Sequence, residues 1–334
     1  MPAAIGSGSE ETRPQDMGRE DMGREDRLSA LLAPLSDVPP IPAAVVHPCD
    51  AASVAAAARA AQLALIQPVL VGPEPRIRAA AEAAEVSLKG LEIVDAPHSH
   101  AAAAQAAAMA AEGRVRMLVK GALHTRELLH EVVRPDGGLR TERRVSHVYV
   151  MDVPTYPRLL LITDAAVNTR PDLEAKRDIV QNAIDLARAL GVAEPKVAIL
   201  SAVETVTPVL PSTIEAAALC KMADRGQIAG GLLDGPLAFD LAVSPEAAAA
   251  KAIVSPVAGR ADILVTPDLE SGNMLAKQLT FLAGAQAAGV ALGARVPVVL
   301  TSRADSVEAR VASCAVAGLM ALRGAPPLKV AGRP

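Results

Sequence analysis

The chain has no tryptophan and only two tyrosines and two phenylalanines in 334 residues. So few rings offer little stacking surface for bases, and a formal net charge of -4 supplies no basic field for a phosphate backbone, which excludes nucleic acid as a partner. Cysteine is scarce as well. Cys49, Cys220 and Cys314 are odd in number and far apart, with no Cys-x-x-Cys pair, so they read as buried free thiols in a reducing cytoplasm rather than as a disulfide framework or zinc site. No apolar run reaches the roughly 18 residues a membrane span needs. The longest, Ala51 to Val71, is interrupted by Arg59, Gln62, Gln67 and Pro68. The N-terminal segment lacks the apolar core of a secretory signal and is too acidic for a transit peptide, which leaves a cytoplasmic location as the expectation.

Several catalytic signatures are missing too. There is no Gly-x-x-x-x-Gly-Lys-Ser/Thr phosphate loop, no Gly-x-Ser-x-Gly elbow and no His-Glu-x-x-His, and the six histidines show no metal spacing. Gly6-Ser7-Gly8 lies in a Gly-, Ser- and charge-rich tail and not in a strand-turn-helix context, so it is no dinucleotide fingerprint. That tail contains the tandem repeat Asp16-Met17-Gly18-Arg19-Glu20 and Asp21-Met22-Gly23-Arg24-Glu25, and is expected to be disordered.

What remains is a chain that is 51% hydrophobic, enough for sizeable cores. Short β-branched runs alternate with alanine-rich stretches, the signature of βαβ units and a parallel sheet covered on both faces. Strands are expected at 44–46, 69–71, 92–94, 116–119, 147–152, 158–163, 196–201, 231–233, 263–266 and 297–301. So many strands predict two α/β domains. Pro171-Asp172-Leu173-Glu174 marks a helix start, Gly191 its end, and Ser212 to Glu215 has capping-box spacing.

In open α/β sheets ligands bind beyond the carboxyl ends of strands, which directs attention to five turns. Ser302-Arg303-Ala304-Asp305-Ser306 lies between a buried strand and a helix running from Val307 to Leu322. Amides at a helix start, a hydroxyl and a guanidinium there make either an anion cradle or a plain cap by Asp305 or Ser306. Lys120-Gly121 also follows a strand; the glycine admits a ligand to the backbone and Thr125 caps the next helix, or the lysine is a solvated surface residue. Asp164 and Asn168 bind a ligand or hold an Asx-turn. Asp234-Gly235-Pro236 reads as a tight turn, and Gly272-Asn273 as a cap of the helix that carries Lys277.

In order along the chain, several segments resemble the phosphate acetyltransferases and phosphate butyryltransferases. They are Val45 to Asp50, Pro68 to Pro73, the Lys120 turn, Gly138-Leu139-Arg140-Thr141, Thr163 to Ala166, Pro195 to Ala198, Asp234 to Asp240, Pro267 to Asn273 with Lys277, and Pro297 to Asp305. The resemblance spans roughly residues 43 to 325 and is closer to the butyryltransferase-like branch, whose last motif reads Ser-Arg-Ala-Asp. It implies a two-domain α/β/α fold of the isocitrate/isopropylmalate dehydrogenase-like type. The expected division is a tail at 1–40, a first domain at 41–152 completed by 297–334, and a second at 153–296, assembled as a homodimer or higher homo-oligomer.

The resemblance also implies the reaction acyl-CoA + phosphate ⇌ acyl phosphate + CoA, with coenzyme A as substrate and no tightly bound cofactor or metal. Ser302 and Arg303 are the implied catalytic pair. Lys120, Gly121, Thr125, Asp164, Asp234, Gly272, Asn273, Lys277 and Asp305 are the implied binding residues. One departure concerns the proton acceptor: the acetyltransferase branch places an aspartate seven residues after the motif serine, where this chain has Ala309. Asp305, Glu308, Asp164, Asp234 and Asp240 remain open for that role, as does water, because a thiol is partly ionised near neutral pH. Two alternatives compete: a metal- and NAD(P)-dependent hydroxy-acid dehydrogenase on the same fold, and a non-catalytic acyl-CoA-binding regulator.

Overall fold

Each expected β-branched run forms a strand in the computed structural model, which describes residues 26–323. The first part of the chain contains α1 (Arg27–Ala30), β1 (Ile41–Val46), α2 (Ala51–Gln62), β2 (Ile66–Gly72), α3 (Glu74–Ala83), β3 (Glu92–Asp95), α4 (Ser99–Ala111), β4 (Met117–Lys120), α5 (Thr125–Val133) and β5 (Ser146–Asp152). It continues through β6 (Leu160–Thr163), α6 (Leu173–Ala189), β7 (Lys196–Leu200), α7 (Pro211–Asp224), β8 (Leu232–Leu237), α8 (Phe239–Val243), α9 (Pro245–Ala250), β9 (Ile263–Val265) and α10 (Leu269–Leu282). The chain then forms β10 (Gln286–Leu292), β11 (Val298–Val299) and α11 (Val307–Arg323).

All these strands belong to one 11-stranded sheet in the order β3-β2-β1-β4-β11-β10-β5-β6-β9-β7-β8. Most neighbours are parallel, but β10 runs antiparallel to both β11 and β5, and β5 antiparallel to β6. The expected all-parallel sheet is therefore mixed. The reason is the length of the connections: 293–297 and 153–159 are too short to carry a crossover, so each joins antiparallel neighbours. The reversal has a geometric result. The strands from β3 to β11 point one way and β6, β9, β7 and β8 the other, so their carboxyl ends lie at opposite ends of the sheet.

One face of the sheet is covered by a single core, with Val45, Met117, Val148, Ile199 and Val290 packed against residues of α2, α6, α7 and α11. The other face is covered by two separate clusters. One joins Val46, Leu118 and Leu300 to α4 and α5; the other joins Met151, Ile162 and Leu264 to α8, α9 and α10. β11 lends Val298 to the first and β5 lends Met151 to the second, while β10 serves both through Ala291 and Ala287.

Local details correct several expectations. Residues 26–40, assigned to the disordered tail, carry α1 and a 3-10 turn (Ala33–Leu35), and Leu28, Leu31 and Leu35 are buried in the main core. The tandem repeat and Gly6-Ser7-Gly8 lie outside the described residues, as does the end of the expected first domain beyond Arg323. Asp172 caps α6 by accepting from the Ala175 amide at 2.8 Å, and Gly191 follows that helix with φ of +97°. The expected Ser212 capping box is absent because α7 starts two residues earlier, at Pro211, with Leu210 in the N-cap position. The Ser212 hydroxyl instead meets that of Ser201 at 2.9 Å, and Glu215 pairs with buried Lys176. Of the cysteines only Cys314 is buried; Cys49 and Cys220 are half-buried. Among the described residues no helix is long and apolar enough to cross a membrane.

Candidate active site

The turn from Thr301 to Ser306 joins β11 to α11 and is held from beneath by one buried side chain. Arg310, 4% exposed, donates from Nη1 to the Thr301 hydroxyl at 3.1 Å, from Nη2 to the Ser302 carbonyl at 2.9 Å and from Nε to the Asp305 carbonyl at 3.3 Å. Asp305 closes the turn from above by accepting the Ser302 amide at 2.7 Å. Ser306 caps α11 through the Ala309 amide at 3.1 Å. The cap is thus Ser306, and Ser302 and Arg303 stay exposed beside it.

Lys120 ends β4 beside this turn. It is 5% exposed, and its ammonium donates to the carbonyls of Gly121 at 3.3 Å and Thr301 at 3.2 Å. Among the described residues neither Lys120 nor Arg310 has a carboxylate within ion-pair distance, so two buried cations are bonded only to backbone carbonyls and the Thr301 hydroxyl. Burial, then the charges of Arg310 and Arg303, push the Lys120 pKa down. A buried cation without a counter-ion is costly, and a pair doubly so, unless an anion completes the site. The amide end of the long helix α11 adds to the same positive potential.

A cavity of about 510 Å³ opens beside the turn. Its walls include Ser302 and Asp305 from the turn, Ala309 from α11, Tyr149 from β5, and Lys277 and Phe281 from α10. Of the residues expected in the site, the structure gathers Ser302, Arg303, Asp305, Lys120, Gly121 and Lys277 at this end of the sheet. Gly121 is closely packed: a Cβ there would lie 2.6 Å from the Val46 carbonyl oxygen and 2.7 Å from that of His47. Thr125 is the first residue of α5 and caps nothing; His124 holds the N-cap position.

The other expected residues lie elsewhere. Asp164 is buried at the opposite strand end, where it accepts the amides of Ala166 and Val167, both at 3.0 Å, and the Asn168 side-chain amide at 2.6 Å. It holds an Asx-turn. Gly272 and Asn273 do not cap α10; Asp268 and Ser271 do, through a capping box. Gly272 sits where a Cβ would lie 2.7 Å from the Asp164 carbonyl oxygen, and Asn273 donates to the Ala165 carbonyl at 3.0 Å. These residues dock α10 onto the Asp164 turn. Asp234 is inside β8 rather than in a turn and accepts the Gly235 amide at 2.8 Å. Its strand ends the sheet six positions from β11, roughly 29 Å at ordinary strand spacing.

Three residues of this region were not singled out in the sequence: Arg310, Tyr149 and His147. Arg310 left a trace. It occupies a position of the buried stripe Arg310, Val311, Cys314, Ala315 in the first turn of α11, where the dipole disfavours a cation, so only a specific bonding role accounts for it. His147 is 1% exposed and hydrogen-bonded to the Leu300 carbonyl, with its Nδ1 unpartnered; burial lowers its pKa despite the charges of Asp164 and Asp305. Among the described residues no three His, Cys, Asp or Glu side chains converge as a metal site.

Comparison with known proteins defines the class to which this chain belongs. Residues 99–318 match the family described as phosphate acetyl/butaryl transferase. The chain is 66% identical over 279 residues to the phosphate acetyltransferase of Rhizobium meliloti, covering 84% of this chain and 88% of that protein. It is 44% identical over 253 residues to the phosphate butyryltransferase of Clostridium acetobutylicum, covering 76% and 84%. Among solved structures, a branched-chain phosphotransacylase from Enterococcus faecalis V583 superposes with a TM-score of 0.74 at 31% identity, over 84% of this chain and 99% of the other. The chain belongs to the phosphate acetyltransferase and butyryltransferase family, and it is an acyltransferase.

Proposed function

We propose that the protein moves a short acyl group between coenzyme A and inorganic phosphate at the Ser302-Arg303 turn. The observation that carries this reading is the pair of buried cations, Lys120 and Arg310, bonded only to carbonyl and hydroxyl oxygens beneath an exposed serine and arginine at a helix start. Arg303 and the amide end of α11 hold the phosphate oxygens, with Lys120 and Arg310 supplying field rather than contact. Ser302 donates a hydrogen bond to the reacting group. In one direction the CoA thiolate attacks the acyl-phosphate carbonyl carbon and phosphate leaves; in the other a phosphate oxygen attacks the thioester and the thiolate leaves. Asp305 is assigned the thiol proton, since it both lines the cavity and contacts the turn, whereas Ala309 in the same wall cannot accept one.

The finer fold assignment follows the same reading. An isocitrate/isopropylmalate dehydrogenase-like arrangement is supported by the single mixed sheet and by the two separate clusters on one of its faces. A first domain at 41–152 completed from residue 297 onward is supported by the position of β11 beside β4. Assembly as a homodimer is supported by the exposed Phe281 and Leu282, and the working compartment is the cytoplasm.

The test is thiol release from acetyl-, propionyl- and butyryl-CoA with and without phosphate. Phosphate-dependent release is expected, and its absence with all three rejects the reading. The dehydrogenase alternative requires converging metal ligands that the described residues lack.

A further inference from the structure

Tyr149 is one of two tyrosines, and it is placed with unusual care. It lies on β5 opposite Gly289 of β10 and packs against the cluster that Met151, Ile162 and Leu264 form with α8, α9 and α10. Its ring stands edge-on to His147, with centroids 4.4 Å apart and planes at 73°. His147 is fixed in turn by the Leu300 carbonyl, two residues before Ser302. Gly289 leaves room for that imidazole: a Cβ there would lie 3.0 Å from His147 Nε2 and 2.5 Å from the Leu300 oxygen. The Gly289 amide is bonded to the Ser313 hydroxyl of α11 at 3.0 Å, so strand, helix and histidine form one rigid support.

The support ends in a phenol that lines the cavity with Ser302 and Asp305, and among the described residues its hydroxyl has no protein hydrogen-bond partner. The contrast with Tyr156 is direct, since that hydroxyl donates to the Ala261 carbonyl at 2.6 Å. A phenol held by its ring and free at its oxygen, in a cavity where a carbonyl must become an oxyanion, is a donor awaiting an acceptor.

The geometry points to Tyr149 as a further catalytic residue, whose hydroxyl donates to the acyl carbonyl oxygen, with His147 as the residue that positions its ring. The inference rests on the acyl-transfer reading and assigns that reaction its oxyanion donor. As the thiolate sulfur forms the new C–S bond, the carbonyl π pair moves onto oxygen, where the Tyr149 O–H meets it. The pair then returns, the C–O bond to phosphate breaks, and phosphate departs with those electrons. The tyrosine keeps its proton throughout. Burial and the Asp305 charge hold its pKa above the ordinary value, so it is a neutral donor at neutral pH.

The test is Tyr149→Phe, which keeps the ring on His147 and removes only the oxygen. Because that oxygen has no protein partner, the melting temperature should stay within about 2 °C. Loss of one oxyanion donor costs on the order of 100- to 1,000-fold in kcat, with KM for acyl-CoA and phosphate changed less than about threefold. Tyr156→Phe is the control: it should lose stability and keep kcat. A Tyr149→Phe enzyme with kcat within threefold of the parent overturns the assignment, and so does one altered only in KM, or one that melts much earlier. The two readings fail separately: an inactive parent enzyme rejects acyl transfer, whereas an active parent matched by Tyr149→Phe rejects only the role of Tyr149.

Discussion

Arg310→Lys isolates what the guanidinium fork does for the turn at Ser302, because it keeps the charge and removes the geometry. The fork reaches three oxygens in the turn, on Thr301, Ser302 and Asp305. An ammonium on a shorter stem retains one such bond at most. Two lost hydrogen bonds to a charged group, at about 1.5–3 kcal/mol each, set an upper range of roughly 3–6 kcal/mol. The Ser302 carbonyl keeps its bond from the Asp305 amide at 3.3 Å, which lowers the loss. The more strongly hydrated lysine costs more to bury beside Lys120, which raises it. The net expectation is a destabilisation of about 3 kcal/mol, read as a fall in urea midpoint at unchanged m-value. Since the turn presents Ser302 and Arg303, a displacement near 1 Å should lower kcat/KM for phosphate about 100-fold. A variant within 1 kcal/mol of the parent, with kcat/KM within threefold, would refute the argument that Arg310 builds the site.

Arg303→Ala should leave the unfolding free energy from urea titration within about 0.5 kcal/mol, because Arg303 is exposed, while raising KM for phosphate and lowering kcat; unchanged kinetics would remove Arg303 from the site. Gly289→Ala is expected to yield little folded protein, since its Cβ would lie 2.5 Å from a backbone oxygen; a soluble variant with parental activity would show that β10 has slack. Stability should fall on acidification below about pH 6.5. His47 and His147 both have pKa values lowered by burial, so between the folded and unfolded values the unfolded chain binds more protons. Each contributes a slope of up to about 1.4 kcal/mol per pH unit there. Urea titrations at several pH values measure it, and His47→Gln should flatten the curve.

The strands were legible because Val, Ile and Leu runs bounded by Gly and Pro leave few alternatives. β10 was not, because Gln286-Ala287-Ala288-Gly289 carries little strand propensity and its small residues answer to neighbours distant in sequence: Gly289 to Leu300 and His147. The turn at Ser302 was legible from strand, helix start and charge together. The same pattern groups Asp164, Asp234 and Gly272 with it, since each follows a run of strand-forming residues. That rule assumes strands pointing one way, and the reversal at β10 and again at β6 sends half of them to the other end of the sheet. Tyr149 and His147 carry no local signal, since their meaning lies in contacts across β10 and in a cavity wall shared with α10 and α11.

The late place of β11 in the sequence has a consequence for the order in which the molecule is made. β4 needs β11 as its second neighbour, and β10 needs it too, yet residues 298–299 are synthesised long after β1 to β5. Until they emerge, the growing polypeptide holds two bare strand edges facing each other across a slot. Closing that slot joins the early and late parts of the chain and, in the same motion, delivers the turn that bears Ser302 and Arg303. α11 follows with Arg310, which holds that turn, and a chain stopped short of residue 297 should aggregate through the bare edges rather than persist as a folded half.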